Sequence, residues 1–560
     1  MSRNVNSRFS INPTVDVSRS KFVRNSSVKT TFNAGELIPF YVDEVLPGDT
    51  FSIDTSRVVR LQTLLTPIMD NLYLDTYYFF VPNRLVWDHW QAFMGENIQS
   101  AWIPQVEYSI PQVTAPSGGW SVGTIADYMG VPTGVSNLSV NALPFRAYGK
   151  IVDDWFRDEN LQDPVNISKG DATVAGVNTG DYITDLVKGG QPFVAGKYHD
   201  YFTSALPSPQ KGPDVKIPVA SGDMPVVARN QEVDYSLSSA PFVVKGPDSY
   251  TWKYNALHAS NRKDSIASFV NYSVDAQSTP LTFDTALSTG NYTPSNLWAV
   301  ATGDAAAASI NDLRLAFAMQ KLYEKDARGG TRYISLLKTH FGVTSPDARL
   351  QRSEYLGGNR VPININQVVQ NSGTASGSTP QGTVTAMSVT ADRNSDFTKS
   401  FVEHGFVIGL MVARYDHTYQ QGLERMWSRT NRFDFYWPVF QSLGEQPILN
   451  KEIYAQGTDV DDEVFGYQEA WAEYRYKPNR VSAQMRSSAT ANYDIWHLAD
   501  DYEALPTLSA DWIKEDTAIV DRVLAVKSTL SDQFIADIYV QNTTTRPMPM
   551  YSIPGLIDHF

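Results

Sequence analysis

Residues 72–81 read LYLDTYYFFV, and no other run restricts the fold as strongly. Side chains of a strand point alternately to its two faces, and here both faces are apolar. The aromatic and β-branched content and the stop at Pro82 read as a strand buried on two sides. Residues 50–63, TFSIDTSRVVRLQT, differ: Phe51, Ile53, Val59 and Leu61 fall on one face at period two, the mark of a half-buried strand. The stretches 400–414 and 534–540 alternate similarly. The chain has 560 residues, beyond the roughly 250–300 at which single cores stop growing. Several domains are expected, or one fold with large insertions.

Helical patterns are fewer. From Phe145 the apolar residues Tyr148, Ile151, Val152, Trp155 and Phe156 follow at helical offsets and form one stripe. A second helix opens at Ser309, placed as its cap, with Asp312 closing a capping box. It runs through Leu313, Phe317 and Leu322 and stops near Gly329-Gly330. A short helix follows over RYISLLKTHF (332–341). Long strands with few helices exclude a doubly wound α/β plan. Residues 361–391 carry no charge and read as a flexible polar connection. Residues 211–304, rich in Pro, Gly, Ser and Asp, read as an insertion between two parts of a scaffold, with runs near 234–246 and 265–274 apolar enough for short strands.

The absence of cysteine removes disulfides, thiolate metal sites and cysteine nucleophiles together. No apolar run approaches the 18 residues of a membrane span. The net charge of −14 is uneven. The first 30 residues hold Arg3, Arg8, Arg19, Lys21, Arg24 and Lys29 against Asp16 alone, a net of +5, which leaves −19 on the other 530. A basic arm on an acidic body reads as a tail that touches something anionic, either nucleic acid or a partner protein.

Catalytic patterns are weak. GWSVG (119–123) matches the nucleophile elbow of hydrolases around Ser121, but the elbow needs a strand before it and a turn cluster precedes it here. GSTPQG (377–382) lacks the Lys-Ser/Thr of a phosphate loop. DVDDE (459–463) has Val464 and Ala470 where a calcium loop needs glycine and glutamate, and reads as a solvated acidic loop. Glu403-His404 and Asp416-His417 flank a strand and, being over ~40 Å apart if extended, read as structural histidines rather than a shared metal site. The residues call for no cofactor and no metal, and an enzyme is disfavoured.

The segment RMWSRTNRFDFYWPVF (425–440) interleaves arginine with aromatics. That pattern serves protein–protein contact, stacking of single-stranded nucleic acid, or a core whose arginines reach solvent. The first is favoured, with Arg425, Trp427, Arg432, Phe435, Tyr436 and Trp437 as contact residues.

Several long segments then stand in a familiar order. They include LPFRAYGKIVDDWFRDENLQDP (143–164), GKYHDYFTSALPSPQKGP (196–213), HFGVTSPDARLQRSEYLGG (340–358), GLERMWSRTNRFDFYWPVFQSLGEQPILNKEIYAQG (422–457), VFGYQEAWAEYRYKPNRV (464–481) and WHLADDYEALPTLSADWI (496–513). Together they resemble the major capsid protein of microviruses, in particular the gokushovirus branch of small icosahedral single-stranded-DNA phages. The resemblance spans nearly the whole chain outside 214–304 and 365–395.

The resemblance implies a mainly β protein, an eight-stranded antiparallel jelly roll with long inter-strand insertions and a few helices. The expected division is a basic arm at 1–29, a first part of the core at 30–210, an inserted surface protrusion at 211–304 and a second part of the core at 305–560. Sixty copies, grouped in pentamers, would form a T=1 shell in the virion, assembled in the host cytoplasm around a circular single-stranded DNA genome bound without sequence specificity. An acidic body cannot neutralise that polyanion, and six basic arm residues per copy supply too little, so mobile cations or a small basic packaging protein must contribute. Implied partners are an internal scaffolding protein, the packaging protein, a minor pilot protein, and a host receptor met by the protrusion. Arg3, Arg8, Arg19, Lys21, Arg24 and Lys29 are the candidate contacts to DNA or scaffold. The rival readings are a soluble single-stranded-DNA-binding protein and a Ser121-based hydrolase.

Overall fold

The computed structural model describes residues 18–97, 107–215, 310–373 and 380–551, with short strands at 226–228, 242–245, 251–254, 293–294 and 297–299. Nine strands, with a two-residue edge strand at Phe193–Val194, make its two principal sheets: β1 (Ser20–Val23), β2 (Ser26–Phe32), β3 (Glu36–Val45), β4 (Thr50–Leu61), β5 (Leu72–Pro82), β6 (Glu354–Pro362), β7 (Thr390–Ser400), β8 (Gly405–Tyr415) and β9 (Phe534–Arg546). In the first sheet β1 and β2 lie end to end along β9, which pairs β4, which pairs β7. In the second the order is β6, β5, β8, β3, with residues 193–194 on the outer edge of β3. All these pairings are antiparallel. From β2 onward the chain changes sheet at every step except β5 to β6. The protein is mainly β, as expected.

Alternation explains the layers. On β4 the residues Phe51, Ile53, Val59 and Leu61 turn inward and meet Ile38, Phe40, Leu74, Tyr78, Val407 and Met411 of the second sheet. Each such side chain stabilises the fold by about 1.5–3 kcal/mol on burial. The inward face also carries Arg57, only 3 % exposed. It pairs with Asp392 at 2.6 Å and donates to Thr76 Oγ1, because a buried charge is tolerated only when partnered. The second sheet is covered on its other face too. Leu37, Phe79, Val81, Ile408 and Leu410 pack there against Trp87, Trp120, Phe145, Tyr148 and Ile151. That double cover is what the two apolar faces of 72–81 require.

The helix expected from Phe145 runs Leu143–Ile151 and continues as a π turn over Val152–Phe156. Its stripe lies on the second sheet, and Tyr148 OH donates to Leu37 O at 2.7 Å. The helices Ile310–Gly329 and Tyr333–Phe341 stand where the spacing put them, with Gly330 at φ +91° after the first. The cap residue Ser309 lies outside the described residues.

Three expectations change. The alternation over 400–414 is not one strand: β7 ends at Ser400 and β8 starts at Gly405. Between them Phe401 turns inward onto Phe51 and Phe80, at 5.4 and 4.7 Å between ring centres. Gly405 is needed, since a Cβ there would stand 2.4 Å from Val81 O. The uncharged stretch 361–391 is not merely a flexible connection. Ile365–Val369 and Val384–Ser388 pair as an antiparallel ribbon, and only 374–379 lie outside the described residues. The basic arm does not reach residue 29, because β1 and β2 place residues 20–32 in the first sheet, where Phe32 stacks on Phe534 at 5.1 Å.

Residues 212–323 form a second compact unit. Its described strands make two small antiparallel sheets, Val226–Ala228 with Leu297–Ala299, and Phe242–Lys245 with Thr251–Tyr254 and Thr293–Pro294. The run 265–274 lies outside the described residues.

Candidate inter-subunit surface

Residues 425–440 form three single 3-10 turns, Arg425–Ser428, Arg432–Asp434 and Pro438–Phe440. No sheet ladder organises them, so side chains do. The Asp434 carboxylate accepts the N–H groups of Asn431 and Thr430 at 2.7 and 2.8 Å. These donors hold it below the usual carboxylate range. Trp437 Nε1 donates to Arg432 O at 2.8 Å, which closes the middle turn against the third.

The arginines divide into two roles. Arg429 points inward, paired with Glu473 at 3.1 Å and lying over Phe435 and Tyr474 at 5.2 and 4.5 Å. Arg425 also points inward, donating to Pro447 O at 3.0 Å and standing 3.8 Å from Glu452. Arg432 faces outward over the ring of Phe433 at 4.7 Å. Supported by these struts, the rings project: Trp427, Phe433, Phe435 and Trp437 are 68, 59, 51 and 50 % exposed, and Val439 is 87 % exposed. Tyr436 leans edge-on against the buried Trp471 at 5.8 Å and is itself exposed. A core segment would hide these rings. The chain instead presents a ledge of exposed aromatic side chains on a braced base. Of the six contact residues expected from sequence, five face outward; Arg425 braces them from behind.

The basic residues near the N-terminus separate as well. Arg3 and Arg8 lie outside the described residues. Arg24 makes a two-pronged ion pair with Asp43 at 2.6 and 2.7 Å, so its charge is engaged within the chain. Lys29 stands 3.6 Å from Asp537 on the neighbouring strand. Arg19 and Lys21 are exposed.

The remaining motifs have structural employment. Ser121 sits exposed in a turn, and its N–H donates to Asn178 Oδ1 at 2.9 Å; a turn precedes it, not the strand of an elbow. Asp461 accepts N–H groups of Gln456 and Gly457 at 2.9 and 2.7 Å, and Asp462 pairs with Lys451 at 2.6 Å, so these two carboxylates of the acidic loop are engaged locally. His417 is buried between Asp500 at 3.0 Å and Glu515 at 3.2 Å. Burial alone would lower its pKa, but the two carboxylates outweigh it and push it up to about 9. Lys197 completes this cluster, 3.7 Å from Asp500. Sequence reasoning found the histidine but not its partners, which lie 83, 98 and 220 residues away along the chain.

Comparison with known proteins agrees with the resemblance read from sequence. A family model described as capsid protein (F protein) matches residues 10–556. Capsid protein VP1 of Chlamydia phage 1 is 44% identical, covering 98% of this chain and 97% of that protein. Capsid protein VP1 of Bdellovibrio phage phiMH2K is 42% identical over 98% of this chain and 97% of its own length. That of Spiroplasma virus 4 is 42% identical over 96% of each. Among the described residues no helix is long and apolar enough to cross a membrane. The chain belongs to the capsid protein (F protein) family of microviruses and is a structural component of the virion, not an enzyme.

Proposed function

We propose that this chain is the shell-forming subunit of a T=1 icosahedral capsid, sixty copies grouped as pentamers around a circular single-stranded DNA genome. The observation that carries the reading is the braced ledge of Trp427, Arg432, Phe433, Phe435 and Trp437, exposed in the single chain. Aromatic side chains bury ~150–250 Å² each, so a few rings supply a large share of the roughly 800 Å² per partner of a stable contact. In the assembled shell a neighbouring copy covers this ledge. Counting β1 and β2 as one interrupted strand, and setting aside the two-residue edge strand at 193–194, gives eight strands in two four-stranded sheets. Their alternation between the sheets supports the jelly-roll reading.

The insertion near 211–304 is read as an outward protrusion that meets a host receptor, which is supported by its forming a compact unit of its own between two parts of the scaffold. Arg3, Arg8, Arg19 and Lys21 are read as contacts to the internal scaffold or the genome, with a small basic packaging protein and a pilot protein as further partners. Electron microscopy of the purified native assembly tests the reading: closed particles of sixty subunits are expected. A small soluble species that binds oligonucleotides would refute it.

A further inference from the structure

Beside the aromatic ledge a groove of about 340 Å³ opens between the segments 419–429 and 473–486. Trp427, Tyr474 and Tyr476 line it, all three exposed. Lys477, Arg480 and Arg486 also line it, and with Arg425 and Arg429 they make five cations against the three carboxylates Glu424, Glu452 and Glu473. Each carboxylate is already engaged within the chain. Glu452 stands near Arg425, Glu473 pairs with Arg429, and Glu424 is shared by Lys477 and Arg480. Arg486 donates to Gln420 O at 2.5 Å and has no carboxylate partner among the described residues. The groove is therefore locally cationic on a chain whose net charge is −14.

We propose that this groove seats a short stretch of single-stranded DNA, with bases stacked on Tyr474 and Tyr476 and phosphates held by Lys477, Arg480 and Arg486. The inference rests on the capsid reading, which supplies the genome, and assigns it a seat distinct from the N-terminal basic residues. Two features favour this occupant. An acidic chain repels a polyanion over most of its surface, so a cationic groove is where a strand settles. Exposed aromatic faces stack on any base and need no hydrogen-bond readout, which suits a shell that holds a genome without regard to sequence. Lys477 and Arg480 are long, exposed and shared with a single glutamate, so a phosphate can draw them from Glu424 at small cost.

The test uses the full-length unassembled subunit and a fluorescent oligo-dT, titrated across a range of salt. Wild type should bind, read as a rise in the oligonucleotide's fluorescence anisotropy. Lys477→Ala/Arg480→Ala/Arg486→Ala should weaken binding at least tenfold at low salt and flatten the salt dependence of log K by about 2, at roughly 0.7 per lost single-strand phosphate contact. Tyr476→Ala should weaken binding about tenfold with the salt slope unchanged. Glu424→Gln frees two cations and should tighten binding, a gain that misfolding cannot mimic. If Glu424→Gln and the triple variant both leave affinity and slope unchanged, or if affinity falls instead in Lys21→Ala/Lys29→Ala, the groove is not the seat. If oligo-dT fails to bind while an acidic peptide does, the occupant is a protein and the proposal falls. Particle formation by Glu424→Gln, scored separately by electron microscopy, reports on the capsid reading and not on the groove.

Discussion

Replacing His417 by glutamine removes a cation from a deeply buried site. His417 is 4 % exposed and sits between Asp500 and Glu515, themselves 3 and 5 % exposed. Asp500 also accepts from Tyr502 OH at 2.9 Å and faces Lys197, while the Tyr415 ring lies tilted against the imidazole at 4.5 Å. The group's pKa rises from 6.5 to about 9, which corresponds to ~3 kcal/mol at about 1.4 kcal/mol per tenfold. The stabilisation is complete below pH 6.5, where the imidazole is protonated in both folded and unfolded chains, and it disappears as pH rises through about 9. His417→Gln should therefore lose ~3–5 kcal/mol at pH 6, the cost of leaving buried carboxylates short of a partner. The assay is thermal melting of the unassembled subunit from pH 6 to 10, so that assembly does not contribute. Wild type should lose melting temperature on the alkaline side, and His417→Gln should start lower and stay nearly level. Glu515→Gln, which removes one of the two carboxylates, should move the wild-type loss to lower pH. A His417→Gln profile that falls in parallel with wild type would place the alkaline loss in other groups and refute the assignment.

Arg432→Ala/Trp437→Ala should leave a soluble subunit with near-native melting that closes few particles, because a central aromatic anchor contributes ~2 kcal/mol or more at every copy of the contact; normal particle yield would end the interface reading, and insolubility would mark the ledge as core. Deleting residues 1–17 should spare folding and impair scaffold engagement or DNA content, whereas deleting 1–29 should also lower the melting temperature by stripping most of β1 and β2 from β9; equal melting of the two truncations would contradict the sheet order. Gly405→Val should cost more than ~3 kcal/mol or block folding, since its side chain collides with Val81 O and the Phe80 ring. Limited proteolysis of intact particles should cut first within 211–304 and leave the shells closed while attachment to cells drops; protection of that region would remove the receptor reading.

What the sequence disclosed follows the strength of its local signals. The doubly buried β5 was legible because ten residues in a row admit no exposed face. The one-sided β4 was legible as a strand, but Thr55 and Arg57 sit on its inward face among Phe51, Ile53 and Val59. An arginine there has no local explanation until Asp392 and Thr76 arrive from distant segments. β1 and β2 were hidden by composition: SKFV and SSVKTTF are polar enough to read as a tail, and only pairing with β9 orders them. The aromatic ledge was visible as a cluster, yet sequence does not say which arginine turns inward; Arg429 does because Glu473 and Tyr474 stand behind it. Asp500, Glu515 and Lys197 were invisible beside His417 for the same reason, since their proximity is made by the fold alone.

The order of the first sheet also sets when this subunit can exist. β9 lies between the strands made first, β1 and β2, and β4. During synthesis those strands leave the ribosome with open edges and wait for more than four hundred residues before the piece between them is made. The first sheet stays open until residues 534–546 are made, whereas the second sheet, complete at Tyr415, does not wait for them. A chain cut short before β9 therefore keeps unpaired edges on β2 and β4, the kind of open edge through which chains aggregate.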